Sequence, residues 1–112
     1  MKIYHNPRCR KSREGVQYLT DKKLNFEIID YLKEGVSEDD IKSILKKLNM
    51  SAIELVRKNE KIWKDNFKGK ELKEEQIISI LCEEPKLIER PIIVHKNKAV
   101  IGRPKENIDN LL

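Results

Sequence analysis

The chain has 112 residues with no long Gly, Ser or Pro run, which fits one compact domain spanning residues 1–112. A net charge of +5 raises the question of nucleic acid, but acidic and basic residues interleave, as in Lys70-Glu71-Leu72-Lys73-Glu74-Glu75, and no basic stripe carries aromatics between its charges. That pattern marks a solvated helix face, so no nucleic-acid partner is expected. The apolar bursts are too short to cross a bilayer and Met1-Lys2-Ile3-Tyr4-His5-Asn6 is no secretory signal, which predicts a cytoplasmic protein with no membrane partner.

Lys2-Ile3-Tyr4-His5 is short and β-prone, and Asn6-Pro7 then signals a turn. Val16 and Leu19 recur at helical spacing between about Ser12 and Lys22, and Asn25 to Asp30 reads as a second strand, giving a β-α-β opening. Ser37-Glu38-Asp39-Asp40 is a capping box ahead of Ile41, Ile44, Leu45 and Leu48, predicting a helix over about 38–48. Ser51 is a further N-cap candidate, and the middle third of the chain reads as wholly helical. Lys73 to Glu84 is amphipathic and stopped by Pro85. Pro91 to His95, a Lys96-Asn97-Lys98 turn and Ala99 to Gly102 read as an antiparallel hairpin, followed by a terminal helix from about Lys105 to Leu111. This order predicts an α/β fold: a thioredoxin-like four-stranded mixed sheet with a helical insertion at about residues 37–84.

Two cysteines are too few for a disulfide framework, and Cys9, Cys82, His5 and His95 lack the paired close spacing of a zinc site, so no metal is expected. Cys9 lies in Asn6-Pro7-Arg8-Cys9-Arg10-Lys11-Ser12-Arg13, between a strand end and a helix start. Unpaired amides at the helix N-terminus and the flanking cations both favour the thiolate, and the same amides suit an anion. A buried filler cysteine would sit in an apolar period, whereas this one is flanked by Arg, Arg and Lys. His5 is placed to support the loop or assist thiolate formation, and Ser12 to cap the helix with its hydroxyl and donate to the thiolate. The C-x-x-S pattern leaves Cys9 without a neighbouring thiol, so its adduct must be resolved by another molecule. Cys82, on the helix carrying Ile77, Ile78 and Leu81, reads as a core residue. A C-x5-R phosphatase loop is excluded, because Gly15 stands where its arginine belongs.

Three pieces, in order and spacing, resemble the ArsC family of glutaredoxin-coupled arsenate reductases along nearly the whole chain. They are His5-Asn6-Pro7-x-Cys9-x-x-Ser12-Arg13, Leu55-Val56-Arg57-Lys58-Asn59-Glu60, and Glu89-Arg90-Pro91-Ile92-Ile93-Val94 with Gly102-Arg103-Pro104. The resemblance implies that Cys9 attacks arsenate while Arg57, Arg90 and Arg103 bind the oxyanion and stabilise the thiolate, with His5, Asn6, Ser12, Arg13 and Pro91 in support. It implies that Pro91 corresponds to a cis-proline facing the cysteine, that no cofactor is bound, and that glutathione is the co-substrate with glutaredoxin as partner. Arg8, Arg10 and Lys11 are more basic than the small residues of established arsenate reductases. Two alternatives follow: a glutathione-dependent thiol reductase of the same fold with another substrate, and a redox regulator resembling the Spx proteins, which bind RNA polymerase but carry C-x-x-C where this chain has Ser12.

Overall fold

The computed structural model describes residues 1–112. Strand β1 (Lys2–Tyr4) leads through helix α1 (Arg10–Asp21) to β2 (Glu27–Ile29), which pairs parallel with β1. Helices α2 (Tyr31–Glu34), α3 (Glu38–Leu48), α4 (Lys61–Asn66) and α5 (Glu74–Glu83) follow, before β3 (Ile92–His95) and β4 (Lys98–Ile101). β3 lies antiparallel to both β1 and β4, so the sheet order is β2-β1-β3-β4, the expected four-stranded mixed sheet.

Period-two alternation sends β3 side chains to two separate cores. Ile93 joins Ile3, Leu19, Ile108 and Leu111 under α1 and the C-terminal segment. Ile92 and Val94 face the larger core, which contains Ile41, Ile44 and Leu45 of α3 and Ile77, Ile78 and Leu81 of α5. α3 starts as its sequence requires: the Asp40 amide donates to Ser37 Oγ (3.0 Å) and the Ser37 amide to Asp40 Oδ2 (3.2 Å). Asn49, in the left-handed region at φ 58°, ends it.

Four expectations need correction. The middle third is not wholly helical: after a 3₁₀ turn at Ala52–Leu55 the chain is extended, and Val56 bridges to Ile88 in an antiparallel ribbon. The Arg57 amide donates to Leu87 O (2.7 Å) and the Glu89 amide to Leu55 O (2.9 Å). A one-turn helix, α2, stands where none was anticipated, with the Lys33 amide donating to Asp30 at its N-cap. The hairpin turn is Lys96-Asn97 alone, with Lys96 at φ 56°, and Lys98 already pairs with His95. The terminal helix, Lys105–Leu111, is 3₁₀ rather than α: its buried residues, Ile108 and Leu111, stand three apart and so share one face at three residues per turn.

Candidate active site

α1 begins two residues before the sequence suggests, because the Arg13 amide donates to Cys9 O (3.0 Å) and makes Cys9 the N-cap. The loop before it is a tight turn: the Cys9 amide donates to Asn6 O (3.0 Å), with Pro7 supplying the fixed φ of the second position. Asn6 Oδ1 accepts from the Arg8 amide (3.0 Å), Ser12 Oγ accepts from the Asn6 amide (3.3 Å), and Arg13 Nη1 donates to Pro7 O (2.9 Å). Ser12 is fully buried, and its hydroxyl serves the loop rather than acting as the N-cap. Cys9 has no side-chain cap bond and stays partly exposed.

The cations at the thiol come mainly from far along the chain. Arg103 Nη2 lies 3.7 Å from Cys9 Sγ, at the solvent boundary. Arg90, only 9 % exposed, reaches the thiol from the inner side while its Nη1 donates to Lys86 O (3.1 Å). Arg10 and Lys11 instead turn outward to Glu14, at 3.6 and 3.4 Å, and Arg13 is engaged with Pro7. The expectation that the flanking cations activate Cys9 is therefore corrected: helix geometry pairs residues three and four apart on its outer surface. Burial alone would push the Cys9 thiol up. A hydrogen bond from Arg90, the amides of Ser12 and Lys11, and the Arg90 charge outweigh it and bring the pKa down to about 7. Arg103 has the better-aligned contact, but buried Arg90 has the stronger effect because water screens it less.

Arg90 and Arg103 are each followed by a cis-proline, Pro91 and Pro104. Pro91 is buried between two glycines: a Cβ on Gly15 of α1 would lie 3.0 Å from Pro91 Cγ, and one on Gly102 would lie 3.1 Å from it and 2.7 Å from Ile93 Cδ1. This close approach docks the segment carrying Arg90 onto the helix carrying Cys9. Arg57 arrives by the Val56–Ile88 ribbon. It does not touch Cys9 directly: its Nε lies 4.0 Å from Glu60, and its Nη1 is buried without a partner.

A sequence model of the ArsC family matches residues 4–111. The chain belongs to the ArsC family. It is 36 % identical over 112 residues to the arsenate reductase of Haemophilus influenzae, covering 98 % of this chain and 97 % of that protein. It is 43 % identical over 110 residues to the uncharacterized protein YfgD of Escherichia coli K12, covering 96 % and 92 %. The solved structure of the arsenate reductase from Vibrio cholerae superposes with a TM-score of 0.94 at 34 % identity, covering 100 % of this chain and 98 % of that one. The thioredoxin-like fold expected from the sequence is thus the ArsC fold.

Within this ArsC chain, His5 is buried beside the Cys9 loop and its amide donates to Ile29 O (2.9 Å), carrying the β1–β2 pairing one residue further. Burial, helped by the Arg13 charge, lowers its imidazole pKa against the pull of Asp30 and so favours the neutral form. Cys82 lies on α5 against the larger core, its thiol pushed up by burial and by Glu38, Asp40 and Glu83. No group of three or more His, Cys, Asp or Glu side chains comes together, and no helix is long and apolar enough to cross a membrane. The residue that sequence reasoning missed is Tyr31, the first of α2. It is 1 % exposed, its ring is in the larger core, and Arg90, Cys9 and Arg57 act on its hydroxyl. The available signal was an aromatic directly after the second strand, at the sheet end that holds the cysteine loop.

Proposed function

We propose that this protein is an oxidoreductase that reduces arsenate to arsenite through a covalent Cys9 adduct. The observation that carries this reading is a partly exposed thiol, brought to a pKa of about 7, that meets one buried and one exposed arginine at a helix N-terminus. Such a thiolate is nucleophilic at neutral pH, and forked guanidinium donors suit a tetrahedral oxyanion. The names of the ArsC relatives from Haemophilus influenzae and Vibrio cholerae agree with it.

In the first step the Cys9 thiolate forms an S–As bond and one arsenate oxygen leaves as water, taking its protons from arsenate and solvent; arsenic remains As(V). Glutathione then replaces a second oxygen, again released as water. A glutaredoxin thiolate attacks the glutathione sulfur, and the electron pair of the breaking S–As bond passes to arsenic, which becomes As(III) while the two thiols leave as a mixed disulfide. Hydrolysis of the remaining S–As bond frees arsenite and the Cys9 thiolate. Arg90 and Arg103 stabilise the thiolate and share the oxyanion charge with Arg57, while Asn6, Ser12 and Arg13 fix the loop that presents the sulfur. The steps as proposed call on neither a metal nor a bound cofactor, and their need for reduced thiols fits a cytoplasmic setting.

A groove of about 460 Å³ beside β4, lined by Met50, Glu54, Val100, Arg103 and Asn107 among others, shares Arg103 with this site and offers room for the second thiol. The test is arsenate-dependent NADPH oxidation coupled through glutathione reductase, glutathione and glutaredoxin. Turnover that disappears in Cys9→Ser is the expected result; wild-type turnover no higher than that of the variant overturns the arsenate reading. Glutathione-dependent reduction of a mixed-disulfide substrate under the same coupling would then favour the thiol-reductase alternative, for which the exposed Arg8 and Arg10, flanking Cys9 along the chain and free to meet an anionic thiol partner at the surface, are the supporting feature.

A further inference from the structure

Four buried polar atoms have no hydrogen-bond partner, and besides His5 Nδ1 in the cysteine loop they are Arg57 Nη1, Arg90 Nε and the Tyr31 hydroxyl, on which Arg90, Cys9 and Arg57 all act. Buried polar groups in folded proteins are nearly always paired, so three orphans grouped about one hydroxyl that also senses the reactive sulfur need a common explanation. Guanidinium groups only donate. Among the charged groups that act on the Tyr31 hydroxyl, Arg90 and Arg57 therefore offer its proton nothing to bind, and the sole acceptor is the sulfur of Cys9, where the substrate must arrive. The hydroxyl lies near the Arg90 guanidinium without an aligned bond to it, so its oxygen can accept from Arg90 and its proton has no partner within the chain.

We propose that the Tyr31 hydroxyl is a further oxyanion-binding donor of this site, hydrogen-bonding one oxygen of the bound tetrahedral substrate alongside Arg57 and Arg90. The inference rests on the oxyanion reading of the Cys9 site and adds to it a neutral donor. A fourth arginine would further acidify the thiol and deepen the charge repulsion of the empty site, whereas a phenol contributes directional donation without charge. It keeps its proton throughout the working range, because burial, only partly countered by Arg90, pushes its pKa up to about 12.

The test is Tyr31→Phe, which removes only the hydroxyl. Arsenate, and separately sulfate as a tetrahedral anion that Cys9 does not reduce, are titrated as protectants of Cys9 against iodoacetamide, with thermal unfolding measured on the same samples. The half-protecting concentration should rise by about tenfold or more, as expected for a lost hydrogen bond to a charged group, while the unfolding midpoint stays the same or rises, since the hydroxyl has no partner to lose. An unchanged half-protecting concentration overturns the proposal, and so does a drop in unfolding midpoint that accompanies the loss of protection, because that is the mark of a structural hydroxyl. If neither anion protects the wild-type protein, the oxyanion reading itself fails and the role of Tyr31 with it.

Discussion

Between Asn6 and Arg13 the nucleophile's side of the site is held by hydrogen bonds that span at most six residues, whereas Tyr31, Arg57, Arg90 and Arg103 arrive on the other side from separate stretches of chain. The loop is nearly saturated: Asn6, Ser12 and Arg13 all have partners, and His5 Nδ1 is its one buried orphan. The far wall is the reverse, with three buried donors open. One side is therefore rigid before any ligand arrives, and the other holds its hydrogen-bonding capacity in reserve at a cost in stability. Such a division suits a thiolate that must be fixed and an anion that must be exchanged.

The largest effect is expected behind Pro91, the proline that packs against Gly15 of the Cys9 helix on one side and Gly102 on the other. Gly102→Ala places a Cβ 2.7 Å from Ile93 Cδ1 and 3.1 Å from Pro91 Cγ, and should lower the unfolding free energy by about 1–3 kcal/mol in guanidinium titrations. An unchanged denaturation midpoint would show that Pro91 is not gripped there. Next, Arg90→Gln strips the far wall of its strongest influence on Cys9. The wild-type thiolate is the reactive form above a pKa of about 7 and is lost as pH falls through that value. In the variant the midpoint of the alkylation rate against pH should move up, towards the ordinary thiol value, by about one unit, slowing alkylation at pH 7 by roughly fivefold, since half of the wild-type thiol is ionised there. A fixed midpoint would assign the whole shift to the amides of Ser12 and Lys11. The smallest effect belongs to the saturated side: Ser12→Ala leaves the buried Asn6 amide without an acceptor and should cost about 1 kcal/mol. The Cys9 midpoint should stay put, because the backbone amide of residue 12 remains; a shift there would mean that the hydroxyl acts on the thiolate after all.

The same division governs what could be read from the chain. Cys9 was legible because its surroundings are local: Asn6-Pro7 dictates a turn, and the helix after it carries its apolar residues at helical spacing. The strands and α3 were legible for the same reason, as alternation in Ile92 to Val94 and a capping box at Ser37. The Val56–Ile88 ribbon was not, since a single bridge leaves no periodicity and its members lie beside apolar residues that also suit a helix. Nor was α2, where four residues are too few to show a helical repeat. Arg57, Arg90 and Arg103 stand out among 24 basic residues only through family resemblance. Tyr31 lay outside even that resemblance, and its importance appears only when its hydroxyl is found among arginines. Arg10 and Lys11 show the converse: adjacent to Cys9 in sequence, they turn away from it to pair with Glu14.

The ribbon has one more consequence, for how the chain tolerates change. Arg57 is tied by its own amide to Leu87, and Glu89, the neighbour of Arg90, is tied to Leu55, so the spacing of the two arginines is fixed by backbone bonds independent of side-chain identity. The excursion between them works like the free arm of a calliper: exposed parts of it, such as residues 68–71, are free to lengthen, shorten or change charge without altering the gap at the jaws. Such an arrangement lets one catalytic spacing persist while the surface around it is rewritten for different thiol partners.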